Sequence, residues 1–231
     1  MRVKKKVFLC FDLDNTLIAG NAAQVAAYQM AFQKHHLTPL PDRAILHRFG
    51  MAGYTLVKEL YPFLTEKEVD AVVRDHDLFL IQKTHRFVQS IPGVARALRI
   101  LHDKGYVMAV VSNSRHPTLI TLLKAGGIDL KFFSVYVGND DVKHAKPFPD
   151  EIFKAEHLMH MKAAYMIGDT IYDVLAARRA HVKALAVLTG HQPQHLLKRY
   201  HPYAILKSVA DLPDFLAYDM KKTYLHLKKK R

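Results

Sequence analysis

The amino-acid sequence predicts an α/β fold, a Rossmann-like parallel sheet with helices on both faces and an inserted all-helical cap. Short apolar, β-branched runs recur at residues 7–11, 106–111, 133–137, 163–167 and 184–188, near-continuous as strands covered on both faces are. Amphipathic helical patterns separate the later runs, which is the alternation of a parallel sheet. Residues 20–90 break that rhythm, with helix-compatible stretches and almost no strand signal. Half of the 231 residues are hydrophobic, enough to bury a substantial core.

The first run ends at Asp12. In the helical stretch, Thr65-Glu66-Lys67-Glu68 reads as a capping box, in which hydroxyl and carboxylate each satisfy the other residue's backbone N–H. It opens a helix from 66 to about 89. Pro92-Gly93 marks the return to the core, and a helix over 93–104 stops at Gly105, which takes a left-handed cap cheaply. The second run ends in Ser112-Asn113-Ser114, and a helix starting near Arg115 carries Pro117 in its first turn. A strand-like piece at 203–206 and a helix after Leu212 close the core. The expected organisation is therefore a core of residues 1–19 and 89–219, a helical cap of 20–88 and a basic tail of 220–231.

Composition narrows the function classes. One cysteine, Cys10, forms no internal disulfide, so a reducing cytoplasm fits. The apolar run after the basic start stops at Asp12, too short for a secretory segment, and no uncharged stretch approaches the roughly 20 residues that span a bilayer. Of the net charge of +13, ten units sit in residues 1–6 and 220–231. The body is only mildly basic, so the charged ends read as solvated tails, with weak, salt-sensitive attraction to RNA or anionic lipid as the alternative. No specific nucleic acid is expected. The fifteen His show no tight metal-ligand spacing.

The chemistry concentrates where strands end. Asp12 and Asp14, two apart in an extended segment, emerge on one side at a strand's carboxyl end, where open α/β sheets bind ligands. Such close like charges repel unless a cation lies between them, and an Asp-rich set without His or Cys suits Mg²⁺. Ser112 and Asn113, at a strand-to-helix junction, offer donors to a phosphate or, alternatively, cap the helix. Lys146, before Pro147, can neutralise phosphate and carboxylate charge. Gly168-Asp169 ends a further run, and Asp169 and Asp173 face one direction near a helix start, where the dipole also favours acids.

These four segments, in this order, resemble the motifs of the haloacid dehalogenase (HAD) superfamily of hydrolases, in the phosphoglycolate phosphatase and β-phosphoglucomutase-like branch. The resemblance spans roughly residues 7–217. It implies that Asp12 is the nucleophile that forms an aspartyl-phosphate and that Asp14 protonates the leaving oxygen and then activates water. It further implies that Asp12, the Asp14 carbonyl and Asp169 hold Mg²⁺, with Asp173 behind them, and that Ser112, Asn113 and Lys146 bind phosphoryl oxygens. The expected activity is hydrolysis of a small phosphorylated metabolite. A sugar phosphomutase, and a non-catalytic anion- or RNA-binding protein, are the alternatives. Arg48 is a candidate substrate contact from the cap. The sequence departs from the branch at Asn15, where Gly is common, and at Gly20, near where a second acid often follows.

Overall fold

The protein, a computed structural model, is described for residues 6–229, with side chains described through Asp219 and at Lys221. Strand β1 (Phe8–Phe11) is followed by the short β2 (Ile18–Ala19). Four helices come next: α1 (Asn21–Lys34), α2 (Asp42–Leu46), α3 (Gly53–Leu60) and α4 (Glu66–Gln82). The short β3 (Gln89–Ser90) leads into the alternating part of the chain: α5 (Val94–Asp103), β4 (Val107–Ser112), α6 (His116–Ala125), β5 (Val135–Gly138), α7 (Asp150–Met159), β6 (Ala163–Gly168), α8 (Ile171–Arg179), β7 (Lys183–Val187), α9 (Gln194–Arg199), β8 (Ala204–Leu206) and α10 (Leu212–Lys229).

Six strands form one parallel sheet in the order β5-β4-β1-β6-β7-β8. From β1 the chain steps outward through β4 to β5, then crosses back to β6 on the other side of β1 and continues outward. The reversal opens a crevice at the carboxyl end of β1. Strand alternation supplies the two cores. Leu9, Phe11, Met108 and Val110 enter one buried cluster with Leu98, Leu101, Leu119 and Leu216. Phe8, Cys10, Ala109 and Val111 enter the other with Ile152, Val174 and Leu197. The Cys10 thiol is fully buried, and burial pushes its pKa up. A third cluster, including Tyr28, Phe32, Leu56, Val57 and Val72, packs α1 to α4 on one another.

Several boundaries differ from expectation. The Thr65 box forms as read, with Thr65 N–H donating to Glu68 Oε2 at 2.8 Å and Glu68 N–H to Thr65 Oγ1 at 3.4 Å. Its helix nevertheless ends at Gln82, and a 3₁₀ turn over Thr84–Phe87 redirects the chain. That turn delivers Gln89–Ser90 to an antiparallel pairing with Ile18–Ala19, so two crossing strands join the helical segment to the sheet. The third expected strand starts two residues late because Leu130–Phe132 form a 3₁₀ turn. Gly105 does take a positive φ of 81°. The expected tail, over its described backbone, continues α10 to Lys229. Residues 1–5, 230 and 231 lie outside the described residues, as do the side chains of the other tail lysines beyond Lys221. No helix among the described residues is long and apolar enough to cross a membrane.

Thr65→Ala removes the hydroxyl half of the α4 box and is expected to lower stability by about 1 kcal/mol, read from a urea unfolding midpoint with unchanged slope.

Candidate active site

Parallel strands deliver their carboxyl ends to one edge, and that is how residues more than 150 positions apart meet. Asp12 follows β1, its N–H still bonded to Ile167 O at 2.8 Å. Ser112 closes β4, Asp169 follows β6, and Lys146 arrives on the loop between β5 and α7. Carboxylate oxygens of Asp12, Asp169 and Asp173 lie within 4.8 Å of one another, all buried. The Lys146 ammonium is set among them, donating to Asp12 Oδ1 at 2.6 Å, Asp173 Oδ1 at 2.8 Å and Val111 O at 3.0 Å. Thr16 Oγ1 donates to Asp169 Oδ1 at 3.2 Å.

Asp173 has a double task. Its Oδ2 accepts from Thr170 N–H at 3.0 Å and Thr170 Oγ1 at 2.7 Å, capping α8, while Oδ1 holds Lys146. With both oxygens engaged, it supports the cluster from behind. Gly168 is required here, since a Cβ at that position would collide with the Asp173 carboxylate. Gly190, after β7, likewise lies against Asp169.

Burial dominates the electrostatics. Desolvation raises the Asp12 pKa to about 7 against the opposing pull of Lys146, and raises Asp169 well above the carboxylate range with help from the Asp12 and Asp173 charges. Burial alone would lower the Lys146 pKa, but Asp12 and Asp173 override it and hold the ammonium protonated. One cation against three carboxylates leaves negative charge uncompensated, and an oxygen-only donor set in that condition fits a hard divalent cation. Nearby Glu151, fully buried in the first turn of α7, has its pKa raised by desolvation to about 8 against the opposing pull of Lys146.

Asp14 sits differently. Its Oδ2 accepts from Gln24 Nε2 of α1 at 3.1 Å and Ser114 Oγ at 3.4 Å, while Oδ1 is buried without a partner. Desolvation raises its pKa to about 6, with the Gln24 and Ser114 bonds opposing. Gln24 is itself held by His76 Nε2 at 2.9 Å from Oε1, and the His76 ring stacks on Tyr28 at 3.8 Å. The two departures noted in the sequence now have reasons. Asn15 adopts a left-handed φ of 56°, which Asn tolerates better than most residues. Gly20 leaves space for Asp14, since a Cβ there would collide with Oδ1.

A cavity of about 80 Å³, open to solvent, joins these groups. Asp12, Asp14, Ser112, Asn113, Lys146 and Asp169 all line it. Ser112 does not cap α6; Asp140 Oδ1 does that, accepting from His116 N–H at 2.8 Å. The Asn113 amide is fully occupied: Nδ2 donates to Gly50 O at 2.6 Å and Lys146 O at 2.9 Å, and Oδ1 accepts from Lys146 N–H at 2.8 Å. Its side chain thus ties Lys146's loop to the helical segment, leaving the main chain as the part of Asn113 able to meet a phosphate. Arg48 is not among the lining residues. Its Nε is drawn to Glu59 at 3.1 Å and its Nη1 to Ala44 O at 3.0 Å, so the cap contributes the neighbouring Phe49, Gly50 and Met51 instead. Gln24, His76, Asp77 and Arg115 also line the cavity and were missed, because nothing in a helix's sequence says which polar residue faces a partner domain.

A family model described as haloacid dehalogenase-like hydrolase matches residues 9–187. The chain belongs to that family. Among curated HAD relatives, the pyrophosphatase PpaX of Listeria monocytogenes is 32% identical over 212 residues, covering 88% of this chain and 93% of its own. PpaX of Oceanobacillus iheyensis is 30% identical over 209 residues, covering 88% and 94%. A hydrolase from Pseudomonas syringae shares the fold with a TM-score of 0.81 at 26% identity, covering 92% of this chain and 98% of that one. The "predicted phosphoglycolate phosphatase" of Haemophilus somnus does so at 0.81 and 22%, covering 93% and 99%. The HAD resemblance and the α/β fold read from the sequence are thereby established, and the protein is a hydrolase.

Two outcomes are expected. Gly20→Ala displaces the Asp14 carboxylate and should lower hydrolytic turnover by roughly 10- to 100-fold, as a small misplacement within a site can, with an unchanged circular dichroism spectrum. Glu151, protonated when folded until about pH 8 but ionised when unfolded above its ordinary value of 4.5, makes stability fall as pH rises between those limits. Thermal midpoints of Glu151→Gln should therefore decline less from pH 5 to pH 8 than those of the wild type.

Proposed function

We propose that this HAD hydrolase is a Mg²⁺-dependent phosphatase that hydrolyses a small phosphorylated metabolite through an aspartyl-phosphate. The observation that carries the reading is the buried grouping of Asp12, Asp169 and Asp173 around the Lys146 ammonium, which a chain with no use for charge would not assemble. The names of its relatives, pyrophosphatase and phosphoglycolate phosphatase, support phosphorus as the centre attacked.

Asp12 is the nucleophile. Lys146 fixes its Oδ1 and leaves Oδ2 without a donor, so Oδ2 forms the bond to phosphorus as the bond to the leaving oxygen breaks. Asp14, kept partly protonated near neutral pH by its burial, gives its proton to that oxygen. Water then attacks the phosphorus, Asp14 takes the water's proton, and the Asp12–phosphorus bond breaks to release phosphate. The Lys146 contact on Asp12 Oδ1 and the uncharged Gln24 and Ser114 donors on Asp14 distinguish the two carboxylates. Ser112, the Asn113 main chain and Lys146 receive phosphoryl oxygens. Asp12, the Asp14 carbonyl and Asp169 would hold Mg²⁺, with Asp173 fixing the arrangement. When bound, the ion withdraws charge from the transferring oxygens and reduces their repulsion with Asp12.

Residues 20–88 act as a lid over the core formed by 1–19 and 89–219, hinged on the β2–β3 pair. Closure places Gln24 on Asp14 and Gly50 O on Asn113, excluding bulk water. The buried free thiol of Cys10 suits a cytoplasmic enzyme.

Phosphate release from a panel of small esters and inorganic pyrophosphate tests this. Activity should vanish with chelator and return with Mg²⁺, and Asp12→Asn should lose at least about 10³-fold, as removal of a nucleophile does. Asp14→Asn should lose about 10²–10⁴-fold on alkyl esters and far less on an aryl ester whose leaving group needs no proton. Full activity of Asp12→Asn would end the reading, and conversion of a hexose 1-phosphate to its 6-phosphate would replace it with a mutase.

A further inference from the structure

The parallel sheet has a second end, opposite the cavity, and the topology brings both ends of the described chain there. The chain enters β1 from that side at Lys6, which is exposed. Helix α10 returns to it antiparallel to the strands. Leu212 and Leu216 fix its first turns in the core. Asp219 then accepts from Tyr165 Oη at 2.5 Å, Tyr203 Oη at 2.6 Å and Lys183 Nζ at 3.2 Å, all three at or just before the amino ends of β6, β7 and β8. From Asp219 the helix continues to Lys229, which at about 1.5 Å per residue carries it roughly 15 Å past the strand ends.

Charge follows this geometry. Arg2, Lys4 and Lys5 precede Lys6 in the sequence, and the stretch after Asp219 holds Lys221, Lys222, Lys228, Lys229, Lys230 and Arg231 with no acid among them. Nearer the sheet, Lys131, Lys162 and Lys183 are matched by Asp129, Glu156 and Asp219, so the excess positive charge at this end comes from the two ends of the sequence. The cavity side gathers Asp12, Asp14 and Asp169 instead. Two tyrosine rings lie open beside Asp219: Tyr218 is 67% exposed and Tyr203 48%, the latter with the Lys183 ammonium 4.0 Å from its ring centre.

From this convergence we infer that the end of the molecule opposite the cavity binds single-stranded RNA without sequence preference. Lysines neutralise phosphates and release their counterions, and exposed aromatic rings give successive bases a face to stack on. An anionic bilayer suits the surface less, because α10 stands along the strands and a plane that meets its tip is held away from both tyrosines. A flexible strand reaches lysines and rings together. In the cytoplasm proposed for this chain, the single strands to hand are RNA. The contact leaves the cavity free, so bound RNA would locate the enzyme without entering its site. The inference is independent of the phosphatase reading.

The test is fluorescence anisotropy of a labelled oligouridylate of about 20 nucleotides with the full-length protein, across a salt series. Affinity should fall with salt, log K against log salt having a slope near −0.7 for each phosphate neutralised on a single strand. The combined variant Lys221→Gln, Lys222→Gln, Lys228→Gln and Lys229→Gln should bind at least about 10-fold more weakly near 0.1 M salt and flatten that slope by roughly 3, with an unchanged thermal midpoint. Tyr218→Ala should weaken binding about 5-fold or more, as loss of one stacked base does, and leave the slope as it was, a signature that charge alone does not produce. Equal binding by the four-lysine variant, an unchanged affinity in Tyr218→Ala, or displacement of the oligouridylate by phosphatidylserine vesicles in preference to unlabelled RNA overturns the inference.

Discussion

The structure depends on one buried ammonium. Lys146 is 4% exposed and touches two carboxylates and a strand carbonyl, so it joins the ends of β1 and β4 to the first turn of α8. Breaking such a group by removing one partner typically costs 3–5 kcal/mol, because a charge is left buried without compensation. The cation is also too little for its surroundings. The excess of carboxylate over ammonium makes the site receptive to a further cation, and the neighbouring carboxylate charges add to the burial that raises the pKa values of Asp12 and Asp169. Stability and reactivity here have the same electrostatic origin.

A second principle is division of labour by environment. Asp12 and Asp14 are two residues apart and chemically identical, yet one is tied to a lysine from the core and the other to an uncharged amide from the helical segment. The contacts on the proposed nucleophile and the proposed acid thus come from different parts of the chain. Because Gln24 comes from α1, the Asp14 carboxylate is tied to the helical segment. Asn113, reaching from the core to Gly50 O, makes a second tie to that segment.

Much of this was legible in the sequence, and the reason is geometric. Parallel strands place their ends together, so a chemical residue immediately after an apolar run is a site residue almost by construction, as Asp12, Ser112 and Asp169 are. Lys146 lies eight residues beyond β5, where position alone marks it less sharply, and the family pattern reinforced the reading. The β2–β3 pair was not legible at all, since two-residue strands such as Gln89–Ser90 have no periodicity to read. Gln24, His76 and Asp77 lie on helices whose polar residues mostly meet solvent, and a 3.6-residue period cannot distinguish solvent from a facing domain. Arg48 shows the converse error: a cation near the right loop is drawn away by an acid, Glu59, whose proximity only the fold establishes.

The thiol beneath the sheet has a practical corollary. Cys10 is the chain's single cysteine, fully enclosed, with its ionisation suppressed, and an inaccessible thiol does not react with alkylating reagents. Native protein therefore presents a blank background for labelling. A pair of cysteines introduced on the outer faces of α3 and α7 would take spin labels or fluorophores without mutating the natural residue, and the distance between them would test whether the helical segment moves against the sheet in solution.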